Sequence, residues 1–368
     1  MRLMHTSDLH LGISVMGENF IEMQGQMVEE LCRIAEERAV DGVIVAGDVF
    51  DRAVSSREAV ELYNTLATEL CIRRRKKLLV AAGNHDGAER LASCSRLLEQ
   101  AGLYVRGRLA LPIEPVELGN ADIYILPYFN QEEARLQTGA PELKSAEEAM
   151  EAVLATIQPR AGRRSILVAH CFVRGCATSE SDRSAVVGGS AMVGAGLFQG
   201  FDYVALGHLH KPQRAGGNIR YSGTPMQYSF AEEGQQKQVI LLDTETMEQE
   251  EVPLEVGRPF RTVRGTYDEI LAAEGDEDAF VRVVLTDREV PPGMRDRLKE
   301  KYSHLMQLVS VFQPEGAERE LTVADVQQLR PTEILDGFLE EYAGRAASAE
   351  EKEWFESAYM EALRGVEP

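Results

Sequence analysis

An α/β fold is what this sequence predicts, on three observations. Short apolar runs alternate with helical periodicity through the first two-thirds of its 368 residues, each run ends at Gly, Asp, His or Pro, and after Gly207 the pattern changes to strand-like pieces without long helices between them. Brief, near-continuous apolar runs are the mark of strands buried on both faces. Sheets of that kind place their ligands at the carboxyl ends of the strands.

The runs at residues 3–6, 43–46, 78–82, 123–126, 166–169 and 203–206 are the expected strands. Between them, residues 20–38, 57–72 and 88–100 have helical spacing, and the second stretch opens with a Ser55-x-x-Glu58 capping box. Past Gly207, residues 219–222, 238–243 and 251–254 are strand-like and could complete a second sheet. Val256-Gly257-Arg258-Pro259 reads as a linker into a small second domain with a strand at 261–263, a helix at 267–273, a strand at 280–285, a helix at 294–302 and a strand at 305–312. From about Thr322 two amphipathic helical segments follow. One carries Ile334, Leu335, Phe338, Leu339 and Tyr342 on a single face, the other Trp354, Phe355, Ala358, Tyr359, Ala362 and Leu363. Such stripes need covering, by a partner or by the chain itself. The expected division is therefore 1–256, 257–313 and 314–368.

Composition narrows the class. Apolar residues make up 44% of the chain, as in a globular protein, and the start Met1-Arg2-Leu3-Met4-His5 lacks the features of a signal peptide. No apolar run reaches a membrane-spanning length, so a cytoplasmic protein is expected. Cys32, Cys71, Cys94, Cys171 and Cys176 are scattered without a C-x-x-C pair, which fits reduced thiols better than disulfides or a zinc knuckle. The net charge of −21 argues against a nucleic-acid partner, although residues 313–368 alone carry 14 acidic and 5 basic side chains. Basic runs at 73–77 and 160–164 could meet phosphates, or could be surface residues flanking buried strands.

Six of the seven histidines fall in or beside five short motifs, each directly after an expected strand. These are Asp8-Leu9-His10, Gly47-Asp48-Val49-Phe50-Asp51, Gly83-Asn84-His85-Asp86, Val168-Ala169-His170 and Gly207-His208-Leu209-His210. A pair of divalent cations needs a bridging carboxylate, several neutral imidazoles and open positions for water and substrate. Asp8, His10 and His210 could hold one cation and Asn84, His170 and His208 the other, with Asp48 bridging. His208 and His210 would point to opposite faces of a regular strand, so the Gly-led segment must bend. Mixed nitrogen and oxygen donors fit manganese or iron and do not exclude zinc. His85, next to a ligand, can face substrate and stabilise or protonate it, with Asp51 as its orienting partner. Arg52 is either a phosphate clamp or a solvated arginine. Asp86 is a candidate turn cap, Cys171 a packing residue, and neither His5 nor His304 has an assigned task.

With these residues the chain resembles the calcineurin-like metallophosphoesterase superfamily, whose Asp-x-His, Gly-Asp-x-x-Asp, Gly-Asn-His-Asp, His and Gly-His-x-His pattern it matches without a missing ligand. The resemblance implies a four-layer αββα sandwich with a dimetal site at one sheet edge. It also implies the ligand assignment above and Asp51 as the partner of His85. Within the superfamily, segments 4–12, 46–51, 202–213 and 221–230, the last beginning Tyr221-Ser222-Gly223-Thr224-Pro225, are similar to the SbcD family of bacterial nuclease subunits. That similarity implies a small α+β capping domain and a C-terminal helical hairpin that docks on the ATPase SbcC. It further implies a DNA substrate, exonuclease action on duplex ends, endonuclease action near hairpins, manganese, and a homodimer that forms a heterotetramer with SbcC. A small-substrate phosphodiesterase or protein phosphatase on the same fold would account for Asp51-Arg52 and the acidity but not for the capping domain. A scaffold without chemistry would show eroded ligands, and none is eroded.

Overall fold

The computed structural model describes residues 1–178, 192–288, 291, 293–311 and, further on, 332, 335–336, 339, 345–349, 351–352 and 354–355. Two compact units divide the chain, Met1–Val311 and Phe312–Pro368.

Two six-stranded mixed sheets form the first unit's sandwich. One has the strand order Gln249–Leu254, Lys237–Asp243, Arg2–Thr6, Gly42–Ala46, Lys77–Ala81, Leu103–Arg106. In the other the order is Gln213–Gly216, Ile219–Tyr221, Tyr203–Gly207, Arg164–His170, Ala121–Leu126, Val116–Leu118. Central strands run parallel and the antiparallel pairings lie toward the edges. The strand-like pieces beyond Gly207 do not stay together as expected. Ile219–Tyr221 joins the second sheet, while Lys237–Asp243 and Gln249–Leu254 return to the first beside Arg2–Thr6. An apolar alternation identifies a strand but not its neighbour, and here pairing is decided by putting Val239 and Leu241 in the same layer as Met4.

Alternation of side chains builds three apolar layers. Leu3, Ile44, Ala46, Leu79 and Ala81 pack between the sheets with Ile123, Ile125, Ile166, Val168 and Ala205. Their neighbours Met4, Val43, Val45, Leu78 and Val80 pack in another layer with Met27 and Leu31 of helix Ile21–Glu37 and Leu66 of helix Arg57–Ala67. On the far side, Leu126, Leu167, Val204 and Leu206 share a layer with Ala149, Met150 and Val153 of helix Ala146–Leu154. The result is the expected four-layer αββα sandwich, each buried Leu or Ile contributing about 1.5–3 kcal/mol. His5 is a polar link between the sheets: its ring meets the Tyr203 hydroxyl at 3.0 Å and the Leu206 carbonyl at 3.2 Å. Burial pushes its pKa down to about 3, so it is a neutral structural link.

Local chemistry moves several helix boundaries. Ser56, not Ser55, caps Arg57–Ala67, its Oγ accepting from the Ala59 N–H at 3.2 Å. The helix expected at 88–100 is broken into Ala88–Leu91, Ser95–Leu98 and a short turn Glu99–Ala101, with Cys94 in the left-handed region at φ +59. The break seats Ala88 and Ala92 against Gly107, where a Cβ would meet the Ala88 carbonyl oxygen at 2.2 Å. A parallel three-stranded sheet, Phe260–Gly265, Phe280–Leu285 and Leu305–Ser310, follows the sandwich. With helices Tyr267–Ala272 and Met294–Lys301 it buries Ile270, Val281, Val283, Leu298 and Tyr302. Phe280 stacks on Phe20 of the sandwich at 5.2 Å.

Most of the two expected C-terminal helical segments lies outside the described residues, including Ile334, Phe338, Tyr342, Ala358, Tyr359, Ala362 and Leu363. Within the second unit, Arg345 pairs with Glu351 at 2.8 Å, the Glu351 N–H donates to Ser348 Oγ at 3.2 Å, and Trp354 is 75% exposed.

Candidate active site

The five motifs follow or end the central strands Arg2–Thr6, Gly42–Ala46, Lys77–Ala81, Arg164–His170 and Tyr203–Gly207, and the loops there are sharply bent. Asp8, His10, Asp48 and His208 take left-handed φ values of +53, +42, +48 and +102. Conformations of this kind cost non-glycine residues on the order of 1–3 kcal/mol each and persist only when their surroundings hold them. Backbone bonds do so: the N–H groups of Asp8, His10 and Leu11 donate to the carbonyls of Gly47, Asp48 and Val49 at 3.0, 3.0 and 2.9 Å. The buried Asp86 carboxylate ties two more loops together, accepting from the N–H groups of Gly83, Phe50 and Val49 at 2.8, 2.9 and 3.1 Å. Gln24 donates to the His10 carbonyl at 2.8 Å and accepts from the Gly12 N–H at 2.9 Å. The motif glycines allow close approach. A Cβ at Gly47 would lie 2.0 Å from His170 Nδ1, and one at Gly83 would lie 2.1 Å from Asp48 Oδ1.

Two clusters of acceptor atoms result. His170 Nδ1–H donates to the Ala46 carbonyl at 2.9 Å, which leaves Nε2 facing Asn84 Oδ1 at 3.0 Å, Asp48 Oδ2 at 3.3 Å and His208 Nδ1 at 3.3 Å. Across the site, His210 Nδ1–H donates to Glu232 Oε1 at 3.0 Å, and its Nε2 lies 3.2 Å from His10 Nε2, itself 3.9 Å from Asp48 Oδ2. Asp48 thus borders both clusters. Asp8 accepts from the His208 N–H at 3.0 Å and falls with Asp48 and His170 in one group of ligand atoms within 4.8 Å of one another. Facing lone pairs repel unless a proton or a cation lies between them, and His10 Nδ1 is also buried without a hydrogen-bond partner. This donor set fits a pair of divalent cations.

Electrostatics agree. Burial pushes His10 and His208 down to about 3 and Asp8 up to about 6. His170 goes the other way: against its burial, Asp48 and Asp8 raise it to about 9, and His170 in turn holds Asp48 well below the usual carboxylate range. The protein therefore concentrates negative potential where Asp48 and His170 meet.

His85 is exposed beside these clusters. Its Nδ1–H donates at 2.9 Å to the Asp51 carbonyl oxygen, so the pairing with Asp51 runs through the main chain, while the Asp51 carboxylate lies 3.9 Å from His10 Nδ1 and 3.3 Å from Arg52 Nε. Arg52 is 78% exposed and Cys171 is buried. Five arginines of the basic runs are paired locally. Arg73 and Arg74 pair with Glu69, Arg160 and Arg163 with Asp122, and Arg164 with Asp202. Two residues without a sequence signal stand behind His210: Glu232 is fully buried, and Lys237 Nζ binds its Oε2 at 2.7 Å while donating to the His210 carbonyl at 3.0 Å and Thr224 Oγ1 at 2.7 Å. Only Thr224 lay in a segment marked by sequence.

A family model described as calcineurin-like phosphoesterase matches residues 1–212. The chain belongs to this family. Like other calcineurin-like phosphoesterases it is therefore a metal-dependent enzyme of phosphate esters, and the ligand atoms above occupy the matched region. A second model, described as type 5 capsule protein repressor C-terminal domain, matches residues 256–342. Among curated relatives, the SbcD subunit of the nuclease SbcCD of Staphylococcus epidermidis is 29% identical over 320 residues, covering 84% of this chain and 86% of that protein. Among solved structures, TT1561 of Thermus thermophilus is 15% identical with a TM-score of 0.35, covering 69% of this chain and 99% of its own. YfcE, a phosphoesterase from E. coli, is 14% identical with a TM-score of 0.27, covering 69% and 100%. Among the described residues, no helix is long and apolar enough to cross a membrane.

Proposed function

We propose that this calcineurin-like phosphoesterase is a two-metal DNA nuclease that hydrolyses phosphodiester bonds at duplex ends and hairpins. The observation that carries it is the pair of acceptor clusters sharing Asp48, with an exposed histidine beside them. Similarity to the SbcD subunit of the nuclease SbcCD over most of both chains directs the substrate to DNA. Asp8, His10 and His210 would hold one cation and Asn84, His170 and His208 the other, with Asp48 shared, and the oxygen and nitrogen donors suit manganese. When bound, such cations supply Lewis acidity to a phosphoryl group and lower the pKa of a water. His210 and His170 keep their lone pairs inward because Glu232 and the Ala46 carbonyl take their Nδ1 protons. His85, oriented through Nδ1, presents Nε2 to substrate, and as the imidazolium it donates a proton toward the leaving oxygen.

A partner of the SbcC type, a homodimer within a heterotetramer, and a cytoplasmic location complete the reading. The exposed Trp354 of the second unit and the acidic stretch at 313–368 suit a protein partner better than DNA. Residues 257–313 would act as the cap and 314–368 as the docking segment.

The test is cleavage of a hairpin-ended duplex with manganese, comparing wild type with His85→Ala, each alone and with the ATPase partner. Cutting by wild type that falls roughly 10²–10⁴-fold in the variant is expected. No cutting in any condition by protein shown to hold metal would turn the assignment to a small phosphodiester.

A further inference from the structure

Beside the metal-ligand clusters lies a cavity of about 490 Å³ that Asn84, His170 and His208 line together with Tyr128, Phe129 and Phe172. It is the part of the active site that the hydrolytic chemistry leaves unexplained, since the rings of Phe129 and Phe172 carry no ligand, base or acid and the ligand assignment above gives the Tyr128 phenol no place. Tyr128 is held at the site. Its N–H donates to the Ala82 carbonyl at 2.8 Å, at the root of the Gly83-Asn84 loop, and its ring stands edge-on to His170 with centroids 6.3 Å apart. Yet the residue is 41% exposed, so part of it is open to a ligand. The cavity is not built for an anion. Arg135, its one guanidinium, is tied to the Leu143 carbonyl at 2.7 Å, and Glu132 adds a negative charge. A flat, uncharged group with a polar edge suits such a lining, with Asn130 and Gln131 offering amides beside the rings.

We infer that this cavity receives the nucleobase of the nucleotide whose phosphate sits at the metal ligands, and that the enzyme therefore favours strand ends whose terminal base is unpaired. The inference rests on the nuclease reading above. A base reaches a pocket of this kind only after leaving its stack, at least cost from a mismatch or a single strand. Stacking on a protein ring is tolerant of sequence, so the preference should follow pairing state and not base identity.

Full-length chain with manganese is assayed on duplexes whose terminal pair is matched, mismatched, or carries an abasic terminal nucleotide. Wild type should cut the mismatched end fastest. Tyr128→Ala should lower kcat/KM on the mismatched end roughly ten-fold more than on the abasic one, through KM, and Tyr128→Phe should restore it. An equal loss on both ends would mean that Tyr128 only supports His170, and would overturn the inference. A second measurement needs no variant. Deoxyadenosine 5′-monophosphate should inhibit wild-type hydrolysis of bis(p-nitrophenyl) phosphate roughly ten-fold more tightly than deoxyribose 5-phosphate. Equal inhibition would overturn the pocket. Hydrolysis of the model diester with no DNA cut would defeat the nuclease reading, and the inhibitor contrast would then still decide whether the cavity binds a base.

Discussion

Glu232 Oε1 lies 3.0 Å from His210 Nδ1, and the same carboxylate reaches Lys237 Nζ at 2.7 Å. A fully buried carboxylate would ordinarily be driven toward its neutral form. Here Lys237 and His210 outweigh burial and hold it well below the usual range, so an ionised group fixes the His210 tautomer.

Removing that group should loosen one of two cations. Glu232→Ala is expected to weaken manganese binding at one site by roughly 10–100-fold while the other keeps its affinity, read by calorimetric titration of metal-stripped protein. Two unchanged affinities would contradict it. Lys237→Ala, which takes the ammonium group away from the buried Glu232 carboxylate, should cost about 3–5 kcal/mol in urea unfolding.

At Gly83 the restriction is steric. A methyl group there would overlap Asp48 Oδ1 at 2.1 Å and the Asp48 backbone nitrogen at 2.3 Å. Gly83→Ala should therefore displace the shared carboxylate, with far-ultraviolet dichroism preserved. Elemental analysis should find fewer than two metals per chain; a full complement would refute the displacement.

Asp86 is a structural carboxylate inside a catalytic motif. Asp86→Ala leaves the N–H groups of Gly83, Val49 and Phe50 without their acceptor, at about 1–3 kcal/mol each. Asp86→Asn keeps one oxygen, which can still accept from Gly83 and Val49, but turns its NH2 toward the Phe50 N–H, so it should recover only part of the stability that Asp86→Ala loses. Equal destabilisation by the two variants in chemical unfolding would argue against this bonding role.

His5 sets part of the acid limit. Its folded pKa of about 3 lies below the ordinary 6.5, so below pH 6.5 the unfolded chain takes up a proton that the folded chain refuses. Its contribution is fully present above pH 6.5 and is lost as pH falls toward 3, at about 1.4 kcal/mol per pH unit. His5→Gln should flatten the fall in unfolding free energy between pH 6.5 and 4.5 relative to wild type. Parallel curves would remove His5 from the account.

The sandwich and the acceptor clusters were legible because each depends on a local signal: an apolar alternation for the strand, a Gly, Asp, Asn or His group at its end. Three such strand ends bend through positive φ, one at Asp8 and His10, one at Asp48 and one at His208, and that bend is what gathers distant motifs. Glu232 and Lys237 left no trace, since a buried ion pair has no sequence period and looks like any surface Glu and Lys. The Asp51 contact was half legible. The expectation named the residue, but a main-chain carbonyl carries no residue type, and it is the carbonyl that His85 meets. Return of Lys237–Asp243 to the first sheet was equally hidden, because a run of alternating apolar residues does not name its neighbour.

Arginines 73, 74, 160, 163 and 164 are discharged against Glu36, Glu69, Glu117, Asp122 and Asp202 of the same chain. A side chain already neutralised this way displaces few of the cations condensed around a polyanion, so these five arginines open little of the entropy of ion release. Their share of any hold on a nucleic acid should be small and nearly indifferent to salt. Whatever steepness appears when another subunit is added then measures the positive surface that subunit brings.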